Sequence, residues 1–207
     1  MKTIIFATTN EGKVREVNRI MQESGYEVIS LKQAGITVDV EEDGTTFEEN
    51  ATIKAKAIWD VTVNMEGYED AIVLADDSGL EIDYLNGEPG IYSARYLGED
   101  TSYEYKNNVI LERLKDAPEE ERSARFVCAM AAVFPDGRVL CEKGIMEGRI
   151  AYSVEGNNGF GYDPIFYLPE FGMTSARITP DQKNEISHRG KALRLIKERI
   201  NESINSK

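Results

Sequence analysis

Soft-metal chemistry and cross-links have little to work with in this chain. Cysteine occurs twice, at Cys128 and Cys141, and histidine once, at His188, so a zinc site of the usual Cys/His kind is excluded. Any metal must be held by oxygen. Long apolar runs are also missing: the longest, residues 126–134, has nine residues, against the roughly 20 that span a bilayer. No transmembrane helix is expected. The apolar stretch after Lys2 gives way at once to Thr8, Thr9, Asn10 and Glu11, too soon for a secretory signal, and a cytoplasmic protein is expected. Positive charge is scarce as well. With 24 Lys+Arg against 37 Asp+Glu the net charge is −13, which argues against a general binder of nucleic acid or of anionic membrane surfaces. A small anionic ligand stays open, provided that its site gathers cations locally and a metal assists.

What is present is apolar material for a core: 41% of the 207 residues are hydrophobic, too many for a disordered chain. No repeat, low-complexity tract or flexible linker divides the sequence. Residues 1–207 therefore read as a single domain, one globular unit with room for two lobes. Residues 2–7 read as a buried strand, followed by Val14, Val17, Ile20 and Met21 at helical spacing with Gly25 as the stop. Residues 26–30 read as a second strand and 37–40 as a short extended piece that enters the acidic run Glu41-Glu42-Asp43. Thr46 and Glu49 form a capping-box pattern that opens a helix to about Val63. Residues 71–75 read as a strand ended by Asp76-Asp77-Ser78-Gly79, with 80–83 as its continuation or as a partner strand.

Beyond this, residues 102–115 are expected to be helical and 117–122 to be a solvated charged connection. Residues 124–134 and 139–152 read as antiparallel strands joined by the turn Pro135-Asp136-Gly137-Arg138. In that hairpin Cys141 faces about Ala132, roughly 13 Å along the strand from Cys128, so no disulfide is expected. A last helix is expected from near Glu185 through Ile200.

Four segments could carry chemistry. Thr8-Thr9-Asn10-Glu11-Gly12-Lys13 lies where a strand turns into a helix; free N–H groups, a glycine and a lysine suit a phosphate. It is no Walker A loop, since Ala7 and Val14 stand where that motif needs Gly and Ser/Thr, and an ordinary turn has the same outline. Asp76-Asp77-Ser78-Gly79 at a strand end suits Mg²⁺, which takes carboxylates together with substrate phosphates. The run 41–43 could add a ligand or could be a solvated loop. Residues 156–164, GNNGFGYDP, fail the dinucleotide order G-x-G-x-x-G, but place Phe160 between glycines, where a base can stack on it or where it can turn into the core. Lys183, His188 and Arg189 are donors for a phosphate or a base edge, or a surface cluster.

The order of these segments is more specific than any one of them. TTNEGK (8–13), EEDGTTFEENA (41–51), ADDSGLEID (75–83), GEPGIYSARY (87–96), GFGYDPIF (159–166) and KNEISHRGKAL (183–193) resemble the inosine-triphosphate pyrophosphatase family, also called XTP/dITP diphosphatases. The resemblance spans nearly the whole chain. It implies Mg²⁺-dependent hydrolysis of non-standard purine nucleoside triphosphates (ITP, dITP, XTP) to the monophosphate and pyrophosphate; the alternative reading, which a sheet-end phosphate site also permits, is a diphosphatase of other (pyrimidine or modified) nucleoside triphosphates. By position it implies phosphate binding by Thr8, Thr9, Asn10, Glu11, Gly12 and Lys13, metal carboxylates at Glu41 and Asp77, and Asp77 as proton acceptor, with Asp76 a candidate to share that work. Ser78 becomes a substrate contact and Lys54 a lysine reaching the polyphosphate. Phe160, Gly161, Tyr162, Asp163, Lys183, His188 and Arg189 become nucleotide-binding residues. A homodimer is implied. The expected fold is α/β: a long twisted mixed sheet flanked by helices, with two lobes and an active-site cleft between them.

Overall fold

The computed structural model describes residues 2–21 and 25–205. Seven strands form one mixed sheet in the order β2-β1-β3-β4-β5-β6-β7. They are β1 (Lys2–Phe6), β2 (Tyr26–Ser30), β3 (Ile72–Ile82), β4 (Ser123–Val133), β5 (Val139–Ile150), β6 (Phe166–Leu168) and β7 (Met173–Thr174). The helices are α1 (Glu11–Met21), α2 (Phe47–Thr62), α3 (Tyr103–Arg113), α4 (Pro180–Ile186) and α5 (His188–Asn205). The chain divides into two compact units. The first holds Met1–Asp77, Cys128–Gly144 and Arg189–Lys207; the second holds Ser78–Val127 and Ile145–His188.

In the first unit β1 lies parallel to both β2 and β3, with Ile4 opposite Ile72 and Phe6 opposite Leu74. The run Ile4-Ile5-Phe6 is fully buried, as expected of a parallel strand covered on both faces. Side chains alternate across β3. Ile72 and Leu74 join Val14, Val17 and Met21 of α1 and Leu193 and Ile196 of α5 in one core. α2 begins at Thr46, whose hydroxyl accepts the Glu49 amide, while the Glu49 carboxylate reaches back to the Thr45 amide. The box drawn from sequence is thus displaced by one residue on its return arm.

The second unit has its own core, in which Leu80 and Ile82 of β3 meet Ile110 and Leu114 of the α3 region, with Phe126, Ile165 and Phe166. β6 pairs antiparallel with β5 (Tyr167 opposite Arg149) and with β7 (Thr174 opposite Tyr167).

Four expectations from sequence change. The strand read as ended by Asp76 runs on through it to Ile82, so of the two readings left open for 80–83 the continuation is the one observed. Residues 37–40 form no regular element. The last helical region is two helices, broken at Ser187, whose backbone is extended (φ −64°, ψ 150°). Arg122, expected in solvent, is 2% exposed and donates to the carbonyls of Leu114, Ile150 and Ala151. Cys128 is buried and Cys141 half-buried, and neither is in a disulfide. Among the described residues no helix is long and apolar enough to cross a membrane.

Candidate functional site

β1 ends at Phe6, opposite Leu74, so the next residues of β3 emerge beside the turn that opens α1. In that turn the Thr8 hydroxyl accepts the Asn10 amide, and the Asn10 carboxamide accepts the Lys13 amide at 3.3 Å. Asn10 therefore caps the helix. Thr9 is exposed. Glu11 and Gly12 belong to the first turn of α1, and the position of the Glu11 side chain lies outside what the structure describes.

Asp76 is the hub of the first unit. Its carboxylate is 1% exposed and takes both hydrogen bonds of the Lys13 ammonium, at 3.0 and 2.8 Å, while the Arg189 guanidinium approaches to 3.4 Å. Burial works to raise its pKa; Lys13, Arg189 and Lys54 overcome this and hold it well below the usual carboxylate range. So engaged, Asp76 is a poor proton acceptor and a good anchor for cations.

Asp77 points to the other face of β3 and differs in every respect. It is half-buried, and the Asn50 amide of α2 donates to it at 3.1 Å. Burial pushes its pKa up to about 6 against the opposing pull of Lys54 and Asn50, with Glu42 and Asp76 adding to the rise. Two adjacent carboxylates thus have their pKa values driven in opposite directions by their surroundings.

Lys54, one turn after Asn50 on the same face of α2, donates to the Asp76 carbonyl at 2.9 Å and pairs with Glu42 at 2.9 Å. Burial alone would lower its pKa; Asp76, Glu42 and Asp77 outweigh this and keep the ammonium charged. Asn50 also accepts the Gly44 amide at 2.9 Å, so one side chain ties the acidic loop to Asp77. Only glycine fits at position 44, where an added Cβ would lie 2.7 Å from the Asn50 oxygen. Glu41 is exposed, whereas its neighbour Glu42 carries the ion pair to Lys54.

The second unit holds the aromatic loop. Phe160 is 50% exposed although its neighbours Tyr162 and Asp163 are buried. Asp163 accepts the Phe160 amide (2.8 Å), the Ser175 hydroxyl (2.8 Å) and the Lys183 ammonium (2.5 Å). It therefore fixes the loop and directs Lys183, whose nitrogen lies 5.2 Å from the centre of the Phe160 ring. Gly159 is required at φ +77°, since a Cβ would sit 2.2 Å from the Asp163 carboxylate. The Tyr162 hydroxyl donates to the Ser93 carbonyl and the Asn107 amide to the Gly161 carbonyl. His188 is buried and stacks flat on Phe126, with ring centres 4.9 Å apart. Ser78 is half-buried on β3.

The first unit thus gathers Lys13, Lys54, Asp76, Asp77 and Arg189 within one set of contacts, and the second gathers Phe160, Asp163 and Lys183. Asn50 and Asn107 escaped the sequence reading. For Asn50 a signal existed: it stands four residues before Lys54 on one helical face. For Asn107 there was none.

Fold and side chains define a class, a mixed-sheet α/β protein with a carboxylate–ammonium cluster in its first unit and a lysine-backed aromatic loop in its second. Comparison with known proteins narrows it. The Ham1 family model matches residues 4–199, and the chain belongs to the Ham1 family. It is 48% identical over 200 residues to the dITP/XTP pyrophosphatase of Clostridium perfringens, covering 97% of this chain and 98% of that one. With the dITP/XTP pyrophosphatase of Clostridium tetani it shares 44% over 207 residues, all of both chains. Among solved structures, the Staphylococcus aureus Ham1 protein superposes with a TM-score of 0.84 at 41% identity, covering 98% of this chain and all of that one. A HAM1 protein from Coxiella burnetii gives 0.85 at 38% identity with the same coverage.

Proposed function

We propose that this chain is a Mg²⁺-dependent dITP/XTP pyrophosphatase that also accepts ITP, releasing the nucleoside monophosphate and pyrophosphate and clearing non-standard purines from the cytoplasmic nucleotide pool. The observation that carries the reading is the division of labour on β3: Asp76 is neutralised by Lys13 and Arg189, while the adjacent Asp77 has its pKa raised to about 6.

The donor set fits a hard cation. Mg²⁺ needs only one or two protein carboxylates, with substrate phosphates and water completing its shell, and Asp77 lies among like charges from Glu42 and Asp76 that favour a cation there. Asp77 and the acidic run at Glu41 and Glu42 would hold it. When bound, the metal supplies charge neutralisation and orientation of the triphosphate. The remaining steps belong to the chain's own residues. Asp77 takes the proton of a water that attacks the α-phosphorus as the bond to the bridging oxygen of the leaving pyrophosphate breaks. Lys13 and Lys54 offset the charge that develops on the leaving group.

For the base, Phe160 offers its exposed ring for stacking. Lys183, held by Asp163 beside that ring, donates to a 6-oxo group, which hypoxanthine, xanthine and guanine carry and adenine does not, so the slower turnover of GTP rests on exclusion of its 2-amino group. His188 belongs to the same unit, while Arg189 serves Asp76. The protein is a homodimer in this reading, which light scattering checks directly.

The test is a substrate panel: dITP, XTP, ITP, GTP, ATP and dUTP at equal concentration with Mg²⁺, the product identified as pyrophosphate or orthophosphate. The expected result is pyrophosphate from the first three, with GTP, ATP and dUTP far slower. Equal rates on GTP and dITP, or orthophosphate as product, would overturn it.

A further inference from the structure

Three hydrogen bonds from buried side chains fix the loop that carries Phe160. Asp163 takes the Phe160 amide, the Tyr162 hydroxyl reaches the Ser93 carbonyl, and Asn107 of α3 donates from Nδ2 to the Gly161 carbonyl at 3.1 Å. The first two are well accounted for locally. Asp163 has both oxygens engaged, and Tyr162 packs edge-on against Tyr103 with ring centres 5.2 Å apart. Asn107 is not. It is 3% exposed, and its Oδ1 has no hydrogen-bond partner.

A buried, unpaired amide oxygen carries a desolvation penalty comparable to or larger than what one hydrogen bond returns. Stability alone does not favour an amide here. Gly161 is only half-buried, so water can serve its carbonyl, and an apolar side chain has no polar atom to strand. What the amide alone provides is a fixed point for the peptide that follows Phe160. The preceding residue of α3 does the same for another loop: Lys106, also buried, donates to the Ala94 carbonyl at 2.6 Å.

We propose that Asn107 is a positioning residue of the base-binding loop, setting the orientation of the Phe160 ring through the Gly161 carbonyl and thereby the affinity for the base of the substrate. The proposal rests on the reading of Phe160 as the stacking platform.

It is tested with Asn107→Leu, which removes the donor while keeping the number of side-chain heavy atoms, and with the isosteric Asn107→Asp, which turns an acceptor towards the carbonyl. Each is assayed for kcat and KM with dITP and for inhibition by inorganic tripolyphosphate, which has no base. A lost or misaligned stacking contact is expected to raise KM about tenfold, with kcat within about twofold and tripolyphosphate inhibition unchanged. Should Asn107→Leu not fold, Asn107→Asp carries the same expectation. An unchanged KM in the folded variants overturns the proposal, and so does a parallel loss of tripolyphosphate inhibition, which would mark a general structural role. Phe160→Ala separates the two levels. If it raises KM while the Asn107 variants do not, only the positioning proposal fails; if it leaves KM unchanged, the stacking reading fails and the proposal with it.

Discussion

Lys13, Lys54 and Arg189 of the first unit and Lys106 and Arg122 of the second are held in opposite ways. In the first, Lys13, Lys54 and Arg189 are set against carboxylates, and the two lysines stay reachable: they are about one-fifth exposed and share Asp76, Asp77 and Glu42. In the second, Lys106 and Arg122 are more deeply buried and use no carboxylate. Lys106 donates to the Ala94 carbonyl and lies over the Tyr103 ring; Arg122 donates to three carbonyls and lies under Tyr152. A carboxylate can give up an ammonium to an incoming phosphate oxygen, because the exchange replaces one anion by another. A backbone carbonyl inside a fold cannot. The first kind of site is poised for ligands and the second is architecture.

Substitutions can break or sharpen that contrast. The largest effect is expected for Asp77→Asn, which removes the raised-pKa carboxylate while keeping its volume. Turnover should fall by about 10³-fold or more, with the thermal midpoint near that of the parent. Near-normal activity would remove Asp77 from the chemistry.

Asp76→Asn should act mainly on the fold, since it leaves Lys13 and Arg189 without their counter-ion, and a loss of about 3 kcal/mol is expected in denaturant unfolding. The same group gives a pH signature. Its folded-state pKa lies below the ordinary value, so its stabilisation is complete above about pH 4 and drains away as the pH falls. The parent should lose stability below pH 4 more steeply than the variant.

Arg122→Met removes a cation held only by carbonyls. A loss of about 2 kcal/mol of stability is expected, with KM for dITP unchanged; a raised KM would blur the distinction between the two kinds of buried cation. The smallest effect is expected at Thr46→Ala, where loss of the α2 cap should cost about 1 kcal/mol. Because α2 carries Asn50 and Lys54 to the carboxylates, activity should fall only to the extent that the helix frays.

Much of this arrangement was legible in the sequence, and the limits of that legibility have physical causes. The strands and helices of the first unit followed from the apolar runs and their spacing. Thr8 to Lys13 stood out because a strand, a glycine and a lysine meet there, and Asp76-Asp77 because two charges follow an apolar run. The same pattern misled at one point. A pair of aspartates reads as the end of a strand, and only the contacts of Lys13 and Arg189, 63 and 113 residues away, show how the strand continues. Arg122 lay in a charged stretch and read as solvated, since nothing local announces three distant carbonyls. Ser187 read as part of a helix because no proline or glycine marks its extended backbone. The roles of Asn50 and Asn107 depend on partners 27 and 54 positions distant, beyond any periodicity.

The unbroken course of β3 has a genetic consequence. Asp76 faces α1 and α5 and Asp77 faces α2 because consecutive residues of a strand alternate, so which aspartate meets Lys13 and Arg189 and which meets Asn50 is a matter of odd and even counting from the start of the strand. A single codon inserted between Ile72 and Asp76 would turn both aspartates to the opposite face, setting Asp76 where Asp77 stands and Ala75 at the position that meets Lys13 and Arg189. Spacing within the strand, as much as residue identity, is what heredity must preserve here.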